Sequence, residues 1–107
     1  MSQLDLGQLM AKAREAQTRL AELQRELAHR RVEADAGGGM VRAVVTGGLR
    51  VVEIQIEPEL LASGDREMLQ DLTAAAVNAA LTRAQELVQQ ELQRASLSLG
   101  LPSAPPG

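Results

Sequence analysis

Leu9, Ala13, Ala16, Leu20, Leu23 and Leu27 follow one another at steps of four, three, four, three and four, through a stretch free of Gly and Pro. That spacing lays a single apolar seam along a helix, predicted over about 6–31. Glu15 with Arg19 and Glu26 with Arg30 stand four apart in the order that supports a helix surface, each pair contributing roughly 0.3 kcal/mol. Past Arg31 the period falls to two. Val32–Ala36, Met40–Thr46 and Leu49–Glu57 are three short runs divided by Gly37-Gly38-Gly39 and Gly47-Gly48. Val41, Ala43 and Val45 alternate in the second run, and Val52, Ile54 and Ile56 in the third, which predicts strands with one buried face. The Gly pair, tolerant of positive φ, predicts a tight turn, so the runs form an antiparallel meander.

Ser63-Gly64-Asp65 opens a second long helix, predicted to about Ser96, with Asp65 as N-cap and Glu67 near the positive end of the helix dipole. Leu69, Leu72, Ala76, Ala80 and Leu87, flanked by Val77, Leu81, Ala84, Val88 and Leu92, give it a broad apolar surface whose alanines admit close approach by another backbone. The fold class is α+β: long helix, three-stranded meander, long helix, spanning 1–99. The Pro-rich remainder, 100–107, is expected to be a flexible tail.

Lengths and composition extend this picture to a second chain. A helix of about 26 residues spans nearly 40 Å, whereas a strand of about seven spans roughly 23 Å, so the helices overhang the sheet. The 107 residues contain no Phe, Tyr or Trp. A small core of Leu, Val, Ile, Ala and Met lacks the large rings that usually supply buried area; a second chain or the other helix must cover the exposed seam, and a homodimer is the preferred expectation.

The chain has no Cys and a formal net charge of −3, which excludes disulfides and thiolate metal sites. No apolar run approaches the roughly 20 residues of a membrane span, and Met1-Ser2-Gln3-Leu4-Asp5 lacks the pattern of a signal peptide. A soluble, intracellular protein without a membrane partner is expected. Residues 1–36 carry six basic and six acidic residues, 37–58 balance, and 59–107 account for the net acidity.

Candidate chemistry is sparse. His29 follows Glu22 and Glu26 on one helix face, but a bundle metal site needs a second Glu-x-x-His, which the chain lacks; a solvated histidine is expected. The triple glycine is not followed by Gly-Lys-Ser/Thr and leads into a strand, so it reads as a strand junction rather than a phosphate loop. Glu57 and Glu59 flank Pro58 at an exposed strand exit. No nucleophile and base pair has a recognisable setting, and neither enzymatic activity, cofactor, metal nor small-molecule substrate is expected.

Leu9-Met10-Ala11-Lys12-Ala13, Ala36-Gly37-Gly38-Gly39-Met40-Val41-Arg42, Val52-Glu53-Ile54-Gln55-Ile56-Glu57-Pro58-Glu59-Leu60-Leu61 and Asp65-Arg66-Glu67-Met68-Leu69-Gln70-Asp71-Leu72 occur in this order, followed by Ala74-Ala75-Ala76-Val77-Asn78-Ala79-Ala80 and Ala84-Gln85-Glu86-Leu87. Over nearly its whole length the sequence resembles the bacterial nucleoid-associated proteins called YbaB/EbfC. The resemblance implies an intertwined or tweezer-like homodimer with protruding helices, and binding to double-stranded DNA. It also implies a cytoplasmic, nucleoid location and roles in chromosome organisation and regulation of gene expression.

Net acidity does not oppose that expectation, because affinity for DNA follows local Arg and Lys placement. Lys12, Arg19, Arg30 and Arg31 on the first helix, with Arg83 and Arg94 on the second, are the candidate phosphate contacts; Arg42 and Arg50 come next. Absence of aromatic platforms disfavours single strands, leaving contact with the duplex backbone. The rival reading is a non-enzymatic dimeric scaffold that binds another protein through its Ala-rich helices, favoured by the acidic C-terminal half.

Overall fold

The computed structural model describes residues 5–100. They form α1 (Leu6–His29), β1 (Arg31–Ala36), β2 (Val41–Thr46), β3 (Val51–Ile56), α2 (Pro58–Ala62) and α3 (Arg66–Ser98). The three strands make an antiparallel sheet in the order β1-β2-β3. The expected flexibility of 100–107 falls, apart from Gly100, outside the described residues.

Both long helices begin on an aspartate. Asp5 accepts from the Gly7 N–H at 3.2 Å, and Asp65 accepts from the Met68 N–H at 3.0 Å, each satisfying a donor that the first helical turn leaves open. α1 ends two residues short of the predicted boundary. Arg30 turns to φ −71, ψ 130, its carbonyl accepts from Gly47 N–H, and the Ala28 carbonyl accepts from Gly48 N–H. These bonds tie the last turn of α1 to the β2–β3 hairpin, and Arg31 already pairs with Thr46.

That attachment explains the glycine pair differently from the sequence reading. Positive φ in this turn falls on Leu49, at 63°. Gly47 is required by proximity: a Cβ there would overlap the Leu27 carbonyl oxygen and lie 3.1 Å from Val88. Gly37, Gly38 and Gly39, by contrast, do adopt positive φ at the β1–β2 junction.

α3 lies across β1 and β2. Ala76, Ala80 and Ala84, spaced by four, are fully buried, as are Val41, Ala43 and Val45 on β2. With only methyl groups on that line the helix backbone can approach the sheet closely, and the core fills without rings. The expectation of a single buried face on β2 is corrected by Val44, which is also enclosed; as the central strand's residue it lies between Glu33 and Glu53, whose aliphatic stems can cover it.

β3 departs from its predicted alternation. A register shift between Val44 and Val45 pairs Val45 with Val51 and leaves Val52 out of the ladder. Val51, Ile54 and Ile56 therefore share the face of Val45, Ala43 and Val41; Ile56 packs against the core, but the other two are left largely uncovered. Val51 remains 46% exposed and Ile54 40%. The sequence reading also lacked α2, where Pro58 occupies the first turn and Leu60 is buried; proline at a helix start is the signal that marks it.

The described residues extend 75 × 22 × 16 Å. α3 accounts for about 50 Å of that length at 1.5 Å per residue, and α1 carries the rest away from the sheet. Along its seam, burial fades from Leu27 at 2% to Leu9 at 49% and Leu6 at 70%. The predicted overhang is thus present, as a prong rooted at Leu27–Arg30.

Candidate nucleic-acid interface

Folding sorts the charges in a way the linear order hides. Residues 5–31, 47–50 and 84–100, which make up α1, the hairpin turn beneath it and the far end of α3, carry eight of the eleven basic residues and six of the fourteen acidic ones. The remainder of the sheet and α3 carries three basic residues, Arg42, Arg66 and Arg83, against eight acids. The prong end is net positive and the distal end strongly negative. Such a separation produces a local field that the total of −3 does not reveal.

The root of the prong gathers arginines from three parts of the chain. Arg30 caps α1 and Arg31 opens β1 opposite Thr46. Arg50 joins them because Thr46 N–H donates to its carbonyl at 2.9 Å, and its own N–H donates to Thr46 Oγ1 at 3.3 Å. Arg94 reaches the same region through Glu91, which also lies 4.0 Å from Arg30. Arg30 thereby pairs with α3 rather than with Glu26, because it has left the helix on which that pairing was predicted.

The remaining candidates divide by what their side chains already touch. Arg19 meets Glu15 at 3.3 Å, as its spacing predicts. Arg83 donates to the Glu33 carbonyl at 2.8 Å, across the open edge of β1. Arg42 faces Glu33 at 3.8 Å. Lys12 and Arg31 are exposed and make no ion pair with another described residue. The same holds for Arg14 and Arg25, which the sequence reading passed over. Eleven residues apart, these two return to within about 20° of each other on a helix, on the side opposite the seam.

His29 is exposed, and no group of three or more His, Cys, Asp or Glu able to hold a metal occurs among the described residues. No described helix is long and apolar enough to cross a membrane. The model of the YbaB/EbfC DNA-binding family matches residues 1–99. The chain belongs to this family. A nucleoid-associated protein of Pelotomaculum thermopropionicum is 42% identical over 98 residues, covering 92% of this chain and 93% of the relative. Another from Acetivibrio thermocellus is 43% identical over 96 residues, covering 90% and 85%. Among solved structures, an uncharacterized protein of Helicobacter pylori shares the fold with a TM-score of 0.59 at 23% identity, covering 74% of this chain and 92% of that one.

Proposed function

We propose that the chain binds double-stranded DNA as a homodimer, mainly through phosphate contacts on the prong and at its root, and contributes to chromosome organisation and gene expression in the nucleoid. The observation that carries this reading is the charge separation: basic residues are concentrated on the protruding end, and Lys12, Arg14, Arg25 and Arg31 there are exposed and paired with no carboxylate among the described residues. Family membership and the nucleoid-associated relatives supply the partner. Contacts to phosphate position a protein without reading sequence, so affinity should vary little between unrelated duplexes.

Dimerisation is supported by the unequal edges of the sheet. At β1 the outward-facing Glu33 carbonyl is taken by Arg83. At β3 the half-exposed Val51 and Ile54 continue the face of the fully buried Val41, Ala43 and Val45, and a second copy seated there would complete its cover. Each phosphate contact would then occur twice in the complex.

The test combines mass and salt. Sedimentation equilibrium should give a dimer at micromolar concentration and a monomer for Ile54→Asp. Duplex affinity should fall linearly in a log-log plot over about 50 to 200 mM salt, by about 0.9 for each phosphate neutralised. Absence of duplex binding at low salt would overturn the reading in favour of the protein scaffold.

A further inference from the structure

At the root of the prong, Glu91 Oε1 lies 3.5 Å from Arg94 Nη1 and 4.0 Å from Arg30 Nη1. One carboxylate oxygen thus attracts two guanidiniums, at separations longer than those of a normal hydrogen bond. The Glu91 side chain is 24% exposed, against 52% for Arg30 and 75% for Arg94. With Arg30 it lines a cleft shared with Leu23, Glu26, Leu27 and His29, and both arginines are more exposed than the carboxylate they share.

We infer that Glu91 is an internal stand-in for a phosphate, lowering the affinity of the Arg30–Arg94 pair for the duplex backbone; this rests on the duplex-binding reading above. Two planar guanidinium forks are drawn to one oxygen, a pairing that suits a phosphodiester, whose single negative charge is shared by two non-bridging oxygens. Glu91 supplies one distant oxygen and is fixed to α3, so it orients both arginines without saturating them. A phosphate arriving from solvent takes their donors and is repelled by the carboxylate beside them. Glu91 is a positioning and tuning residue: it keeps the pair gathered in the free protein and limits how tightly the pair holds DNA.

Glu91→Gln retains shape and removes the charge, and Glu67→Gln, at the opposite end of α3, makes the same change in net charge. Fluorescence anisotropy with a labelled duplex should show E91Q binding about five- to tenfold tighter than wild type, with a salt slope steeper by roughly one to two, and E67Q within about twofold. In an R30A/R94A background the E91Q gain should vanish, as expected for directly coupled residues. Equal effects of E91Q and E67Q, or a gain that survives loss of both arginines, would overturn the proposal. If wild type fails to bind duplex at all, that reading falls separately. Pyrophosphate titration, followed through the arginine side-chain NMR resonances, then decides: tighter binding by E91Q at Arg30 and Arg94 supports the stand-in, and unchanged binding rejects it.

Discussion

In the body of the molecule Ala76, Ala80 and Ala84 meet Val41, Ala43 and Val45, and all six are sealed from solvent. Along α1, leucines at the same helical spacing run from complete burial at Leu27 to open exposure at Leu9 and Leu6. Apolar spacing alone therefore does not determine burial; a covering partner does. The body obtains stability from close backbone approach, while the prong is anchored at one end and projects its charges. The body is also the acidic part and the prong the basic part. Stability and DNA binding should consequently respond to different substitutions.

Gly47→Val should give the largest effect, because its side chain would enter the space of the Leu27 carbonyl where prong and body join. A loss of about 3 kcal/mol or more is expected in chemical denaturation. Ala80→Leu, inside the fully buried alanine line, should cost about 1–3 kcal/mol through overpacking. Leu49→Gly should raise stability by about 0.5–1 kcal/mol, since it relieves positive φ on a branched side chain. Leu9→Ala, out on the prong, should change unfolding free energy by no more than about 0.5 kcal/mol. A large cost at Leu9 would show that the prong is packed in solution and would dissolve the contrast between the two regions.

Much of this contrast was written in local patterns. The Leu9–Leu27 seam, the alternation of Val41, Ala43 and Val45, and the cap at Asp65 all produce the elements they predict, because each depends on neighbours in sequence. Val52 failed as an inward residue because a bulge, invisible in alternation, substitutes Val51. Gly47 was legible as a turn residue but not as the contact point for α1, which depends on how two distant segments meet. The charge map was hidden for the same reason. Arg50 reaches the prong root through pairing with Thr46, and Arg83, one of the predicted phosphate contacts, is carried to the edge of β1.

The central claim is that DNA is held at the basic prong end rather than by the protein's surface as a whole. Its most direct test is the salt dependence of duplex binding for K12A/R31A compared with R42A/R66A, two variants that lose the same charge from opposite regions. The prong variant should bind more weakly, with a slope reduced by roughly two to four for a dimer, while the body variant keeps the wild-type slope. Equal reductions in the two variants, or a larger one in R42A/R66A, would contradict the account.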